Sequence, residues 1–455
     1  MEKTIAAIST APAPGGIGIV RISGGEAFAV AEKVFRGVSG KKVSQMKGYT
    51  AQLGGAYTPG GEKLDDVVAL VYRGPKSYTG EDVVELSCHG GLYMTKRLLQ
   101  LVLDAGAAPA GPGEFTRRAF LNGKMDLAQA EAVMGLISAS GEQARKAALA
   151  GSTGVLSRKI ESIKQGLLEQ AAHLAAWADF PEEDVPQVEE AALLEGIRQG
   201  EKALEELLQG FDRGRMYREG LVTVIAGRPN AGKSTLMNLL SGCQRSIVTQ
   251  YAGTTRDVVE ETVMVAGVPL RLADTAGIRD TDDPVESIGV QAARQRLETA
   301  QLVLAVFDSS HALEKEDWEL MDALEKMPAI AIVNKSDLPT QMDVEAIQRR
   351  FEKTVSLSAA TGEGLAALEQ ALSEILDTKD FHPQEGVLFT QRQRMDAQTA
   401  LDSLREGEQA LALGLTLDAV TVCVEDALHA LAALTGEQVS EEIVDRVFEE
   451  FCVGK

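Results

Sequence analysis

An octapeptide at residues 227–234 has the residue types and spacing of a phosphate-binding loop. Gly-Arg-Pro-Asn-Ala-Gly-Lys-Ser fits G-x-x-x-x-G-K-[ST], and it lies between a strand-like run, LVTVIAG, and a helix start, LMNLLSG. Glycines let backbone N–H groups curl around phosphates, Lys233 can reach the β- and γ-phosphates, and Ser234 can ligate Mg²⁺. For the octapeptide alone, a chance glycine turn is the alternative interpretation.

Three later motifs follow in the order that a guanine-nucleotide site requires. Asp274-Thr-Ala-Gly277 ends one strand-like run, where an aspartate can hold the Mg²⁺ shell and a glycine N–H can sense the γ-phosphate. Asn334-Lys-Ser-Asp337 ends another, and a carboxylate there can accept from two neighbouring N–H groups of guanine, a pair that adenine lacks. Ser358-Ala-Ala360 is the expected last base-contacting loop. The ordered set resembles Ras-like GTPases of the translation-factor class.

The residues expected around the nucleotide come from these motifs and from the segment 249–255. They are Asn230, Ala231, Gly232, Lys233, Ser234, Thr235, Thr249, Gln250, Tyr251, Ala252, Gly253, Thr254, Thr255, Asp274, Thr275, Ala276, Gly277, Asn334, Lys335, Asp337, Ser358, Ala359 and Ala360. Thr255 is expected to join Ser234 on Mg²⁺. Ile278 stands where Ras-like enzymes with a water-positioning glutamine carry that residue, so Glu286 in the acidic loop 279–289 is the candidate for that role. A solvated acidic loop is the alternative.

The residue composition and apolar spacing along the chain indicate which secondary-structure elements must position these motifs. Residues 1–120 contain short β-type runs and glycine pairs, which predicts an α+β domain. Long Ala/Leu/Glu stretches in 121–217 and 381–455 predict two parts of one helical bundle. Alternating strands and helices in 218–380 predict a Ras-like α/β P-loop domain inserted into that bundle. We therefore expect an α+β multidomain protein.

The net charge excludes wholesale coating of a nucleic-acid backbone. The 455 residues carry 45 Lys and Arg against 67 Asp and Glu, a formal charge of −22, so any contact with nucleic-acid phosphates must be local. Residues 1–120 hold 14 basic and 11 acidic side chains, a net +3, and all other residues together carry −25. A nucleic acid would approach the N-terminal domain with least repulsion, unless a partner protein supplies the positive surface.

The cysteines and the early residues indicate a reducing, soluble setting. Four cysteines lie far apart without a CxxC pair, so neither a disulfide framework nor a zinc site is indicated. Cys88 beside His89 could suggest a metal pair, but a structural role for Cys88 is the favoured interpretation because no further ligand has suitable spacing. Early charges and prolines, with no apolar run of 18 residues, predict a cytoplasmic protein without a membrane segment.

Motifs along the whole chain resemble the MnmE, or TrmE, family of tRNA-modifying GTPases. They include GRPNAGKST, GTTRD, DTAGIRDTDDPVE and NKSD in the α/β segment, and TIAAISTAPAPGGIGIVRISG, SYTGEDVVEL and PGEFTRRAFLNGKMDLAQAEA in the N-terminal part. The final Cys452-Val-Gly-Lys455 also fits, although the family usually carries isoleucine second. This substitution is conservative.

The resemblance implies a homodimer held by its N-terminal domains, GTP and tRNA as substrates, and a heterotetramer with the FAD-containing flavoprotein MnmG. Together they would add an aminomethyl or carboxymethylaminomethyl group to C5 of the tRNA wobble uridine, with 5-formyl- or 5,10-methylene-tetrahydrofolate bound in the N-terminal domain. The implied folate-site residues are Arg21, Glu85, Lys124 and Lys455, and the implied potassium ligands are Asn230, Thr249, Tyr251 and Thr254. The implied catalytic residues are Glu286, Arg256, Asp257 and Lys233.

Three alternatives stay open at this level. Cys452 is either a nucleophile near the one-carbon carrier or a small residue that packs the tail. The protein could instead be a switch whose only output is GTP-dependent partner binding, as in ribosome-assembly GTPases. The N-terminal domain could also be a folate-dependent transferase that the GTP-binding domain regulates.

Overall fold

The computed structural model describes residues 3–179, 190–243, 261–272, 300–376, 382–449 and 451–455. The chain divides into two compact units, each discontinuous in sequence. The first comprises Met1–Met134, Ile160–Val185 and Leu415–Lys455, and the second comprises Gly135–Lys159 and Pro186–Gly414.

A seven-stranded sheet is the centre of the first unit. Its strands, in chain order, are β1 (Ile5–Ile8), β2 (Ile17–Ser23), β3 (Phe35–Gly37), β4 (Thr50–Tyr57), β5 (Lys63–Tyr72), β6 (Val83–His89) and β7 (Ala108–Pro109). The spatial order is β3-β4-β5-β6-β2-β1-β7, and only the β1–β7 pair is parallel. Strand β3 is therefore at one edge of the sheet.

The two faces of this sheet have different coverings. Helices α1 (Ala27–Val34) and α2 (Leu92–Asp104) pack on β2 and β6, over a core that includes Val20, Ile22 and Leu86. Side chains alternate between faces along a strand, so Arg21 and Glu85, which are cross-strand partners, point to the opposite face.

The remaining helices of the first unit lie near the end of the chain. Phe448, Phe451 and Leu127 share one apolar cluster with Val444, which ties the last residues to the N-terminal part. The helices concerned are α3 (Glu114–Leu121), α13 (Leu417–Thr435) and α14 (Glu441–Glu449), and the residues of α4 (Leu127–Ile137) and α6 (Val155–Asp179) are divided between the two units.

The second unit contains a six-stranded sheet with the order β13-β12-β11-β8-β10-β9. Its strands are β8 (Leu221–Ala226), β9 (Glu261–Val265), β10 (Val268–Leu272), β11 (Leu302–Asp308), β12 (Ala329–Asn334) and β13 (Lys353–Ser356). All pairs are parallel except β9 with β10. Every residue of β11 is buried, as expected for a strand covered on both faces.

Helices of two kinds complete the second unit. Those that connect the strands are α8 (Lys233–Cys243), α9 (Lys315–Ala323), α10 (Val344–Gln348) and α11 (Leu365–Ile375). Those of the helical domain are α5 (Glu142–Ser152), α7 (Glu190–Glu219) and α12 (Gln391–Ala412), and α7 packs along α12.

The sequence predictions of fold class are confirmed. An α/β N-terminal domain, a helical domain and an inserted P-loop domain are all present, and the five predicted parallel strands are β8, β10, β11, β12 and β13. Strand β9 was not predicted. It pairs antiparallel at the sheet edge, and its polar start, Glu261-Thr262, hides its strand character. Among the described residues, no helix is long and apolar enough to cross a membrane.

Candidate functional site

The phosphate-binding loop follows β8 and leads into α8, as the sequence predicts. A side chain at Gly227 would collide with the carbonyl of Val306 on β11, so the loop lies tightly against that strand. Asn230 has a left-handed backbone, with φ of 62°. The Lys233 amine donates to the carbonyl oxygens of Gly227 and Arg228, at 2.8 Å each. Lys233 therefore lies within the loop, where a phosphate would provide the oxygens that these carbonyls provide here.

Asn334 joins three of the predicted nucleotide motifs. Its amide nitrogen donates to the Ala231 carbonyl at 2.8 Å, and its amide oxygen accepts from the Ala359 N–H at 2.9 Å. Gly232 has φ of +99°, and a Cβ there would overlap the Asn334 amide nitrogen. Asn334 is only 2% exposed, so this buried side chain fixes the spacing between the phosphate loop and the base-binding loops.

Asp308, at the end of β11, holds the lysine of the base-recognition motif. Its carboxylate accepts from the Lys335 amine at 2.6 Å and from the Ser310 hydroxyl at 2.6 Å. Burial by itself would raise the pKa of the Asp308 carboxyl, but the Lys335 and Ser310 hydrogen bonds outweigh burial and lower it to about 2. Lys335 also has a left-handed backbone conformation. Its main chain and its side-chain amine are therefore both held in defined positions.

Arg228, inside the phosphate loop, forms an ion pair with the start of α9. Its guanidinium lies 3.2 Å from the Asp317 carboxylate and also contacts Glu314. The hydrogen bond to Glu314 raises the pKa of Arg228. Asp317 is 2% exposed, and its second carboxylate oxygen has no hydrogen-bond partner among the described residues. Arg228 is therefore its only countercharge among the ion pairs of the described chain.

The remaining predicted nucleotide residues in the described chain differ in their exposure to solvent. Ser234 and Thr235 are exposed at the start of α8, and the exposed Asp337 carboxylate has no ion pair or hydrogen bond with a described residue. Ser358 is fully buried, and its hydroxyl accepts from Thr361 N–H at 3.3 Å. Ala360 is exposed.

Several predicted residues lie outside the described residues. These are Thr249, Gln250, Tyr251, Ala252, Gly253, Thr254, Thr255, Arg256, Asp257, Asp274, Thr275, Ala276, Gly277 and Glu286. Their assignments stay predictions.

A second candidate site lies on the sheet face opposite α1 and α2. Arg21 forms an ion pair with Glu85 at 2.9 Å, and Glu85 also accepts from the Tyr72 hydroxyl at 3.4 Å. The Arg21 guanidinium lies 5.7 Å from the ring centre of Tyr78 and 5.5 Å from that of Phe115. A partly buried cation, an anion and two aromatic faces thus meet at one place.

The tail, residues 451–455, docks beside this ion pair. The Gly454 carbonyl accepts from the Ser9 hydroxyl at 2.9 Å and from Arg21 at 3.4 Å. The Phe115 N–H donates to the Lys455 carbonyl at 3.2 Å. Gly454 has φ of +96°, and any side chain there would overlap the Ile8 carbonyl. Glycine is therefore required for the tail to lie against β1.

The Lys455 amine lies near Arg21 and Glu85. Burial and the Arg21 cation lower the pKa of its amine. The Lys124 amine donates to the Pro75 carbonyl at 3.0 Å, three residues before Tyr78 in the sequence. The Cys452 carbonyl accepts from the Gly113 N–H at 3.3 Å, and Cys452 is half-buried.

Two family models match the chain. "GTP-binding protein TrmE N-terminus" matches residues 4–124, and "MnmE helical domain" matches residues 127–452. A "tRNA modification GTPase MnmE" of Symbiobacterium thermophilum is 45% identical over 457 residues, covering all of both chains. The chain belongs to the MnmE family. A relative of the same name from Alkaliphilus oremlandii is 42% identical, again over all of both chains.

MnmE membership makes this chain a GTPase of the P-loop class. Among solved structures, the G domain of the T. maritima FeoB iron transporter is 25% identical and covers 34% of this chain and 98% of its own, with a TM-score of 0.26. At that TM-score the likeness supports no conclusion about the MnmE chain.

The residues in the described part of this MnmE chain fit the implied ligands chemically. An exposed hydroxyl at Ser234 and an amide at Asn230 supply oxygen ligands of the kind that Mg²⁺ and K⁺ prefer. The carboxylate of Glu85, the cations of Arg21 and Lys455 and the rings of Tyr78 and Phe115 suit a flat heterocycle with N–H groups and an acidic tail.

The side chains of Cys88 and His89 lie in different environments. Cys88 is buried, and burial raises the pKa of its thiol to about 11. The His89 ring nitrogen lies 2.7 Å from the Asp65 carboxylate. Within the described ranges, no three His, Cys, Asp or Glu side chains form a group that could hold a metal.

Sequence reasoning missed the supporting residues of both sites. Asp308, Arg228 and Asp317 were not singled out, although Asp308 is an acid that directly ends the apolar run LVLAVF. Tyr78 and Phe115 belong to motifs that carried the family resemblance, yet only the fold shows that their rings flank Arg21.

Proposed function

We propose that this MnmE chain hydrolyses GTP in a potassium-dependent manner during tRNA modification, together with the flavoprotein MnmG. The reaction adds a carboxymethylaminomethyl or aminomethyl group to C5 of the wobble uridine and uses a tetrahydrofolate one-carbon donor. The observation that supports it best is that one chain carries both a connected guanine-nucleotide site and a tail-docked site at Arg21.

The nucleotide part of the proposal depends on preorganisation. Asn334 already links Ala231 and Ala359, so the phosphate loop and the base loops need little rearrangement to receive GTP. Lys233 exchanges its two carbonyl partners for phosphate oxygens, and the exposed Asp337 carboxylate accepts from guanine. Such prepositioned charge lowers the cost of reorganisation during phosphoryl transfer.

The ion part of the proposal assigns Mg²⁺ to Ser234 and Thr255. It assigns K⁺ to Asn230, Thr249, Tyr251 and Thr254, and a potassium ion supplies the positive charge that an arginine finger supplies elsewhere. The further proposed catalytic residues are Glu286, which orients the attacking water, and Arg256 and Asp257, which steady the switch loops.

The folate part of the proposal depends on the geometry at Arg21. Glu85 can accept from the N–H groups of a 2-amino-4-oxo heterocycle, the Tyr78 and Phe115 rings provide apolar walls, and Arg21 and Lys455 attract the acidic tail. A tetrahydrofolate derivative supplies an activated one-carbon unit when bound. Lys124 borders the loop that carries Tyr78.

The assembly and boundaries are part of the same proposal. We propose a homodimer through the N-terminal domains, a heterotetramer with MnmG, a cytoplasmic location and domain boundaries at 1–120, 121–217, 218–380 and 381–455. Cys452 is retained as a candidate reactive thiol, because it is half-buried in the tail beside Lys455.

Steady-state GTP turnover in matched potassium and sodium buffers tests the ion assignment. We expect turnover to rise several-fold in potassium and Asn230→Ala to lose that rise while still binding GDP. Equal turnover in the two salts contradicts the assignment.

The Glu286→Ala variant should bind GTP but lose most turnover. Unchanged turnover would mean that another residue orients the attacking water.

Mass spectrometry of tRNA nucleosides from a deletion strain tests the pathway assignment. An unmodified wobble uridine, restored by the wild-type chain, is the expected result. Unchanged tRNA contradicts the proposal and favours a switch protein.

Calorimetry with 5-formyl-tetrahydrofolate on the full chain tests the folate site independently of GTP turnover. We expect the Arg21→Ala variant to lose binding.

A further inference from the structure

One edge of the N-terminal sheet is basic in a strongly acidic protein. Residues 33–61 contain five Lys and Arg and no Asp or Glu, within a chain whose formal charge is −22. This stretch includes β3, the edge strand, and β4 beside it. We define the basic edge as five exposed side chains of this stretch together with the exposed Lys76, which follows β5. Its members are Arg36, Lys41, Lys42, Lys47, Tyr49 and Lys76.

Internal contacts hold the backbone of the basic edge in place. The Arg73 guanidinium donates to the carbonyls of Ser44 and Met46 and lies 4.7 Å from the Phe28 ring. This fixes the short turn Val43–Gln45, which has lysines on both sides. The Arg73 guanidinium thus makes its contacts within the protein, whereas Lys41, Lys42 and Lys47 are exposed to solvent.

Tyr49 joins the lysine-rich turn to Lys76. Its hydroxyl donates to the Lys76 carbonyl at 2.8 Å, and its ring forms a T-shaped pair with that of Tyr72, with centroids 5.5 Å apart. Even so, 64% of Tyr49 is exposed. Lys47, Tyr49 and Lys76 are therefore neighbours on one surface, with an aromatic face among cations.

Few acids oppose these charges. Glu32 accepts from the Ser44 N–H at 2.7 Å, and Asp82 accepts from the Gly74 N–H at 3.0 Å. The hydrogen bonds from Ser44 and the Lys42 cation outweigh burial and lower the pKa of Glu32, so it is ionised and offsets part of the Lys42 charge. The other cations of the basic edge form no ion pair with an acidic side chain among the described residues.

We propose that the basic edge binds single-stranded RNA, with phosphates on Lys41, Lys42, Lys47 and Lys76 and an unpaired base stacked on Tyr49. Cations alone would suit any polyanion, but an exposed aromatic ring among lysines is the arrangement that recognises unstacked bases. This inference rests on the proposed function in tRNA modification, since the anticodon loop presents unpaired bases at the modified position. Binding here also avoids residues 121–455, whose formal charges sum to −25.

Binding of a fluorescent anticodon stem-loop RNA to the full-length protein tests the proposal. Affinity is measured by anisotropy over a range of salt concentrations, for the wild type and for the triple variant Lys41→Gln, Lys42→Gln, Lys47→Gln. We expect roughly tenfold weaker binding at about 0.1 M salt and a salt slope shallower by about 2, since each of the lost contacts to a single strand removes about 0.7 of a unit. A matched triple variant of exposed lysines in the second unit, Lys202→Gln, Lys315→Gln, Lys326→Gln, should bind as the wild type does.

Two substitutions at Tyr49 separate stacking from charge. Tyr49→Phe keeps the ring and should bind within about twofold of the wild type, whereas Tyr49→Ala should lose roughly fivefold or more. A base-paired RNA of equal length should be insensitive to Tyr49→Ala. Equal loss for paired and unpaired RNA would overturn the stacking role. Potassium-stimulated GTP turnover should stay unchanged in every variant.

The outcomes distinguish this proposal from the proposed function. If the deletion strain lacks the modified uridine but the basic-edge variant binds RNA like the wild type, the proposed RNA binding by the basic edge is wrong and the proposed function stands. If tRNA from the deletion strain is unchanged while the variant loses RNA binding, the function fails and the basic edge stands. Light scattering that shows a changed oligomeric state in the triple variant would instead make the edge an interface between copies and overturn the proposal.

Discussion

The nucleotide site takes its residues from loops that each follow a strand of one sheet, whereas the site at Arg21 takes them from residues as far apart as Ser9 and Lys455. In the first, the parallel strands bring Gly227, Asp308 and Asn334 to the same edge. In the second, a β-pair supplies Arg21 and Glu85, and the tail completes the wall. A site built at one sheet edge is available once that sheet forms, but a tail-docked site needs an additional contact that can be lost separately.

The largest effect should come from the base-recognition carboxylate. Asp337→Asn replaces an acceptor by an NH₂ group that opposes the guanine N–H donors, so GTP affinity should fall by about 100-fold or more. Xanthosine triphosphate should bind better than GTP to this variant. Fluorescent nucleotide titration measures both, and Asp322→Asn, at another exposed acid in the second unit, is the control. Retained GTP preference would show that guanine is read elsewhere.

A substitution in the tail should affect the other site alone. Gly454→Ala places a methyl group against the Ile8 carbonyl and requires an unfavourable left-handed backbone, so the tail should undock. We expect at least tenfold weaker binding of 5-formyl-tetrahydrofolate by calorimetry, with GDP affinity unchanged. Gly25→Ala, where a side chain meets open space, should match the wild type. Normal folate binding by Gly454→Ala would separate the tail from the site.

The Arg228–Asp317 pair tests how far the phosphate loop depends on its support. Arg228→Ala leaves a buried carboxylate without its cation, and the loop should lose its fixed position. We expect the KM for GTP to rise roughly tenfold with kcat nearly unchanged, and Asp317→Asn to act similarly without adding to Arg228→Ala. Glu314→Gln, at an exposed partner, should change KM by at most about twofold. A loss of kcat and thermal stability at constant KM would indicate a purely structural role.

The smallest effect concerns pH. The pKa of Asp308 is about 2 in the folded protein, below the ordinary value of about 3.9. The paired carboxylate therefore adds stability above pH of about 4, on the order of 2 kcal/mol, and this contribution is lost as the pH falls through the folded value. Urea unfolding should show Asp308→Asn less stable at pH 7, with the gap narrowing between about pH 5 and 3. A constant gap over this range contradicts the assignment.

The same comparison explains what the sequence could predict. Contiguous spacing was enough to predict roles for Lys233, Asn334 and Asp337, because the backbone chemistry of a strand-loop-helix unit determines their positions. The Asp308–Lys335 and Arg228–Asp317 pairs were not predicted, since each joins segments from different strands. At the second site, Arg21, Glu85 and Lys455 came from family resemblance, and no spacing rule brings a C-terminal lysine to a cross-strand pair.

The length of helix α7 and its direct connection to β8 have a mechanical consequence. It has 30 residues, a length of about 45 Å at 1.5 Å per residue, and only Gly220 separates its end from β8, the strand that leads into the phosphate loop. A Cβ at Gly220 would meet the Pro269 carbonyl at 2.7 Å, so the junction leaves little room for slack. With so stiff a joint, a tilt of only about 5° at the strand displaces the distant end of a rod about 45 Å long by roughly 4 Å. A small rotation beside the phosphate loop would thus become a displacement of several ångströms at the distant end of the helix.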